Sequence, residues 1–179
     1  LVVVDEAYVE FVDRDDYPDM VAELRAGRRN IILLRTFAKI YGLAGLRIGY
    51  ALGDPEVIGY IERARPTFNV NAIAQAAALA ALSDTEHVEK SRALAAESRA
   101  TFMRELRALG LDPIPSSTNF IAVHVGDDMA VTTALMERGL TVSPLGGWGL
   151  PGFIRISFGT AEDNARFFAA LKDILQATH

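Results

Sequence analysis

Lys39 is the side chain on which a reaction is most easily built. It follows the apolar run Ile31–Leu34 and leads into a segment with glycines at 42, 45 and 49, with Arg47 on the far side. Desolvation opposes a lysine's charge and pushes its pKa down. A lysine between a buried strand and a glycine-rich loop is therefore a candidate nucleophile that forms a Schiff base. The plainer alternative is a surface lysine whose stem covers apolar surface while its ammonium stays in water.

Three short apolar runs, Leu1–Val4, Ile31–Leu34 and Ile48–Leu52, read as buried strands of a sheet covered on both faces. Met20–Ala26 reads as a short helix closed by Gly27. Asp54-Pro55 supplies a cap and a first-turn proline for a helix to about Ala64, which Arg65-Pro66 should end. Ala72–Leu82, almost free of charge, is expected to be a tightly packed helix. Ser83 and Glu86 form a capping box for a longer one reaching Leu109, with Val88, Ala95, Phe102, Leu106 and Leu109 on its apolar face and Gly110 as its stop. Beyond it the pattern predicts a strand over Asn119–Val125, a helix over Asp127–Arg138 ended by Gly139, and strands over Leu140–Val142 and Phe153–Phe158. An amphipathic helix over Glu162–Gln176 closes the chain. There is no internal repeat.

Composition narrows the field. The 179 residues are 50% hydrophobic and 23% charged, an ordinary globular balance with enough chain for a real core. A net charge of −5 argues against nucleic-acid and membrane-surface partners, which favour a basic patch. No cysteine is present, so disulfides and thiolate metal sites are excluded. His87, His124 and His179 are too scattered to suggest a metal site. No apolar run approaches the roughly 20 residues of a membrane span, and the opening Leu-Val-Val-Val lacks a basic leader, so the expected compartment is the cytoplasm. The chain opens inside an apolar run rather than on Met, and is read as a fragment lacking an N-terminal portion.

Five stretches in order carry a resemblance. Val4-Asp5-Glu6-Ala7-Tyr8, Arg35-Thr36-Phe37-Ala38-Lys39 and Gly42-Leu43-Ala44-Gly45-Leu46-Arg47 resemble fold-type I pyridoxal-phosphate aminotransferases, most closely the histidinol-phosphate aminotransferase family. Phe68-Asn69-Val70-Asn71 and the stretch from Gly149 to Ser157 extend the likeness over nearly the whole chain. The resemblance implies an α/β fold: the C-terminal part of a large domain with a mainly parallel sheet (1–70), a helical connection (71–110) and a small α+β domain (111–179). It implies pyridoxal 5′-phosphate as cofactor and transamination between histidinol phosphate and 2-oxoglutarate in histidine biosynthesis, by a homodimer acting on a small-molecule amino donor and a 2-oxo acid.

The resemblance also assigns roles. Lys39 is the Schiff-base lysine; Asp5 pairs with the pyridine nitrogen and keeps the ring an electron sink. Tyr8 donates to the cofactor's phenolic oxygen, Thr36 and Arg47 hold its phosphate, and Arg155 clamps the anionic group of the substrate with its planar fork. Arg35 is expected to support the sheet edge. Asn69 and Asn71 either reach an active site across a dimer interface or cap the following helix, and Arg166 either assists the anion site or lies on a helix surface. Three positions depart from the family's habit: Ala38 where Ser is common, Ser143 where Arg is common, and Trp148 where Tyr is common. The loss of one hydroxyl at Ala38 is worth about 1 kcal/mol of phosphate binding.

Other readings stay open within the scaffold: an aromatic or phenylalanine aminotransferase, or a threonine-phosphate decarboxylase-like enzyme. Outside it, four apolar residues followed by Asp-Glu also resemble the acidic motif of P-loop ATPases, but the Gly-x-x-x-x-Gly-Lys-Ser/Thr partner is missing from these residues. A non-catalytic binding module is the remaining alternative. Residues 1–179 alone are expected to turn over little.

Overall fold

A computed structural model of the chain describes residues 1–177; His179 lies outside the described residues. The chain divides into two compact units, Leu1–Ala93 and Leu94 onward.

The first unit is built on a three-stranded sheet of β1 (Val2–Asp5), β2 (Ile31–Thr36) and β3 (Gly49–Gly53), with β2 in the middle. β1 and β2 run parallel, with Asp5 opposite Leu34, and β2 and β3 run antiparallel, with Thr36 opposite Gly49. The α/β class holds, with a mixed sheet. A Cβ on Gly49 would stand 2.7 Å from the Arg35 carbonyl oxygen, so glycine is what lets β3 close on the strand end bearing Thr36. Ile31, Ile32 and Leu33 are buried, as the unbroken apolar run implies for a central strand. β1 differs from the expectation: Val2 and Val3, on opposite faces of this edge strand, are both more than half exposed.

The helices begin where short polar side chains can take orphan N–H groups. Asp19 caps α1 (Met20–Arg25) by accepting from Val21 and Ala22. Asp54 caps α2 (Pro55–Ala64) through Glu56 N–H, and Asn71 caps α3 (Ala72–Ser83) through Ala74 N–H. α3 is not the tightly packed helix expected: Ala74 and Ala78 are buried, while Ile73, Leu79 and Leu82 lie exposed. α4 (Thr85–Ala108) begins in the first unit and continues into the second. Its first turn is held by Asp84, whose Oδ1 accepts from His87 N–H; Ser83 belongs instead to the end of α3.

The second unit pairs an antiparallel sheet with helices. Strands β4 (Pro113–Ile114), β5 (Phe120–His124), β6 (Ser143–Pro144) and β7 (Phe153–Ser157) lie in the order β4-β5-β7-β6. The extended segment expected at Leu140–Val142 pairs one step later, at Ser143–Pro144, because β7 offers its partners there. α5 (Asp128–Met136), capped by Asp127, and α6 (Ala161–Ala177) complete the unit. Alternation along β5 and β7 sends Ile121, Val123, Ile154 and Ile156 into the core with Phe102, Leu106, Leu135 and Leu171. Phe102 meets the rings of Phe158, Phe167 and Phe168 at 4.6–5.8 Å between centroids. Truncating such a buried ring to alanine typically costs about 3–5 kcal/mol.

Candidate active site

The parallel β1 and β2 carry polar residues at their C-terminal ends. Asp5 is exposed at the end of β1, its Oδ1 accepting the Ala7 N–H at 3.0 Å. The chain stays tied to β2 through Glu6 N–H to the Leu34 carbonyl (2.8 Å), then turns into a single 3-10 turn, Val9–Phe11, with Tyr8 at its head. Buried Phe11 anchors that turn, and the half-buried Tyr8 ring lies 6.4 Å from it, centroid to centroid.

β2 delivers Thr36 and Lys39. Thr36 Oγ1 accepts the Ala38 N–H at 3.0 Å, which leaves its O–H to donate. Phe37 and Ile40 are buried on either side and fix the backbone between them, while Lys39 is exposed. The loop closes on itself through Gly42 N–H to the Lys39 carbonyl and Leu43 N–H to the Phe37 carbonyl, both 3.0 Å. Lys39 Nζ stands 5.2 Å from the centroid of the Tyr8 ring, within cation–π range. Arg47 follows the 3-10 turn Ala44–Leu46, two residues before β3, with φ 54°, a left-handed conformation uncommon for a residue with a Cβ, and its Nη1 donates to the Ala44 carbonyl at 2.9 Å. Asp5, Tyr8, Thr36, Lys39 and Arg47 thus all belong to the first unit, and Tyr8 and Lys39 are in direct contact.

Arg155 belongs to the second unit. Its position on β7 between Ile154 and Ile156 turns it away from the core. It stands opposite Ala122 of β5 and Ser143 of β6, so it lies inside the sheet rather than on an edge strand. The guanidinium carbon lies 5.2 Å from the Phe120 ring centroid, and Nη2 reaches Ser143 Oγ at a long 3.4 Å. Its Nε is buried without a hydrogen-bond acceptor among the described residues. The loop before β7 is pinned by Asp128, whose carboxylate accepts from Gly146 and Gly152 N–H, and it leaves Trp148 83% exposed.

Several residues take plainer places. Asn71 caps α3, Asn69 accepts from Arg65 Nη1, and Arg166 is an exposed helix residue 3.8 Å from Asp163. His124 packs on Phe153 at the end of β5. No group of three or more His, Asp or Glu side chains among the described residues is placed to hold a metal ion. Arg35 lies on the central strand, not at the sheet edge; its Nε donates to Glu6 Oε2 at 2.8 Å and its Nη2 stands 2.8 Å from the same oxygen in an ion pair, with the Glu6 side chain 1% exposed. His87 Nε2 lies 2.9 Å from the carbonyl oxygen of Ile40, the residue after Lys39. Neither contact was legible in the sequence, because the partners are 29 and 47 positions apart and share no motif.

The fold and these strand-end residues define the class: an α/β protein of the fold-type I group, with a carboxylate on one parallel strand and a lysine loop on the next. The chain belongs to the family described as aminotransferase class I and II, whose model matches residues 1–171. It is similar to a histidinol-phosphate aminotransferase of Anaeromyxobacter sp. (strain Fw109-5), 48% identical over 99% of this chain and 49% of that protein. A second relative of the same description, from Moorella thermoacetica, is 45% identical over 98% of this chain and 46% of that protein. Among solved structures, the histidinol-phosphate aminotransferase of Sinorhizobium meliloti in complex with pyridoxal-5′-phosphate matches with a TM-score of 0.85 and 33% identity, over 100% of this chain and 50% of that one. The chain spans about half the length of the curated relatives it matches.

Proposed function

We propose that this chain serves a pyridoxal-phosphate-dependent aminotransferase that exchanges an amino group between histidinol phosphate and 2-oxoglutarate in histidine biosynthesis, as a cytoplasmic homodimer. The observation that carries the reading is the Lys39 amine 5.2 Å from the Tyr8 ring, on a loop that follows the strand paired in parallel with the Asp5 strand. The residues fit the cofactor. Thr36 keeps a hydroxyl proton to give to a phosphate, and Arg47 sits at the mouth of the same loop on a backbone turned into the left-handed region. Asp5, exposed at its strand end, is available to a ring nitrogen. Bound there, pyridoxal phosphate would supply an electron sink for the pair left when a proton leaves the substrate carbon.

The chain's own residues then have separable tasks. Asp5 holds the ring-nitrogen proton, and Tyr8 donates its phenolic proton to the cofactor's ring oxygen. Thr36 and Arg47 grip the phosphate. Lys39 Nζ would take the proton from the amino donor's Cα and hand it to the cofactor's C4′ carbon, and would run the same transfer in reverse for the 2-oxo acid. Arg155, with a buried N–H that has no acceptor among the described residues, receives the carboxylate of glutamate or the phosphate of histidinol phosphate, since either anion meets a planar fork. Ala38 removes one hydroxyl from the phosphate's surroundings without touching the lysine.

The test uses a protein that carries this chain at the full length of its relatives. Loaded with pyridoxal phosphate and reduced with borohydride, it should carry the pyridoxyl group on Lys39 by peptide mass analysis, and Lys39→Ala should carry none. Labelling that survives Lys39→Ala sinks the assignment. A substrate screen should favour histidinol phosphate over phenylalanine; the reverse preference would make it an aromatic aminotransferase of the same family.

A further inference from the structure

The segment that presents Tyr8 is tied down at both ends by arginines from two other elements. At its start, Oε2 of the buried Glu6 carboxylate accepts from Nε of Arg35 on β2 at 2.8 Å, and Nη2 of the same guanidinium stands 2.8 Å from that oxygen in an ion pair. At its end, the Glu10 carbonyl accepts from Nε of Arg92 on α4 at 2.8 Å, while Nη1 of the same guanidinium bonds Glu89 at 2.7 Å. Between these ties run Val9 N–H to the Glu6 carbonyl and Phe11 N–H to the Tyr8 carbonyl, at 3.1 and 3.0 Å. A buried ion pair adds little net stability over an apolar pair of the same shape, because desolvation offsets its attraction. What it does supply is a fixed geometry, since a charge-assisted hydrogen bond from Nε is directional as well as short.

We propose that Glu6, Arg35 and Arg92 are positioning residues that clamp the Glu6–Glu10 turn and so hold the Tyr8 phenol against Lys39. The assignment rests on the reading of Tyr8 and Lys39 as the cofactor-facing pair. Tyr8 has no strand of its own; it heads a single 3-10 turn, and its place follows from where that turn is fastened. β2 carries both Arg35 and, past its end, Lys39, so the Glu6 tie sets the phenol in the same frame as the amine. Arg92 adds a second, independent point, which removes rotation of the turn about the first.

The experiment uses the full-length protein and pyridoxal 5′-phosphate as probe. Affinity is read by equilibrium titration, the visible absorption band of the bound cofactor by spectroscopy, and stability by thermal unfolding without cofactor. Tyr8→Phe defines the spectrum of a site without the phenol. Glu6→Gln and Arg92→Leu should reproduce that spectral change and bind the cofactor about tenfold more weakly, the scale of one lost charge-assisted hydrogen bond. Arg92→Lys, which keeps a donor for the Glu10 carbonyl, should restore the native spectrum. Glu6→Gln combined with Tyr8→Phe should shift the band no further than Tyr8→Phe alone. Should Glu6→Gln fail to fold, the Arg92 pair decides alone, since that side chain is 36% exposed. Native spectra and affinities in Glu6→Gln and Arg92→Leu, or changes that add to that of Tyr8→Phe, overturn the clamp. A native band in Lys39→Ala overturns the reading of the site itself and the clamp with it.

Discussion

Arg155 presents a buried guanidinium N–H that no described acceptor satisfies. Leaving a buried donor unpaired costs about 1–3 kcal/mol, more when it is charged. An anionic substrate group would remove that cost, so part of the binding energy is already stored in the strand. Arg155→Lys keeps the charge but loses the fork and the stacking on Phe120. In the full-length enzyme, steady-state kinetics should show KM for the anionic donor rising about ten- to a hundredfold, the kinetic equivalent of about 1.5–3 kcal/mol, with kcat falling less. Glu10 makes a prediction of another kind. Burial pushes its carboxyl above the usual value of 4.5; its own backbone hydrogen bond, Arg35 and Arg92 pull it down, and Glu6 pushes it up. Its Oε2 is shielded and has no hydrogen-bond partner among the described residues. The folded chain therefore keeps this proton to higher pH than the unfolded chain does. The stability it contributes is complete below about pH 4.5 and is lost as pH rises through the folded pKa. Glu10→Gln should remove that slope, so thermal unfolding across pH 4–7 should show the variant gaining on the wild type as pH rises.

At the scale of elements, the loop between β6 and β7 depends on one glycine. Gly152 has φ +79°, its N–H donates to Asp128, and its carbonyl accepts the Val125 N–H. A Cβ there would meet His124 Nε2 at 2.6 Å and the Gly126 carbonyl oxygen at 2.8 Å. Gly152→Ala must bear the left-handed backbone, about 1–2 kcal/mol, and also move β5 or the start of β7. Chemical denaturation should show at least that loss. Local punctuation of this sort was readable in advance where Asp54-Pro55 starts a helix, and Asn71 offered a cap as one of two readings; both side chains reach N–H groups two or three residues on. What depended on distant partners was not. β6 forms at Ser143–Pro144 rather than Leu140–Val142 because β7 decides the pairing, and the two-residue β4 has no periodicity to betray it. β1 and α3 looked buried from composition, yet apolarity states what a surface tolerates, not what covers it. The candidate site divides in the same way. Lys39 and its glycines stood out locally, whereas the Arg35 and Arg92 ties join residues 29 and 82 positions apart.

For the whole molecule, the candidate residues are distributed over the chain: Lys39, Asp5 and Tyr8 belong to the first unit and Arg155 to the second. The chain spans about half the length of the curated relatives it matches, so the complete reaction is a property to be tested in a longer protein. Exposed apolar side chains point the same way. Val2 and Val3 on the open edge of β1, Ile73 and Leu79 on α3, and Phe68 at 93% exposure with φ 57° leave sizeable apolar area in water. Burying such area is worth about 25 cal/mol per Å², and an unpaired strand edge offers ready N–H and C=O groups to another chain. Residues 1–179 produced alone should therefore elute as more than a monomer in size-exclusion chromatography. They should also show little or no transamination of histidinol phosphate with 2-oxoglutarate, under conditions in which the full-length protein turns over. A monomeric chain of these 179 residues with robust turnover would overturn the assignment of the exposed β1 edge and α3 face to surfaces that require further protein.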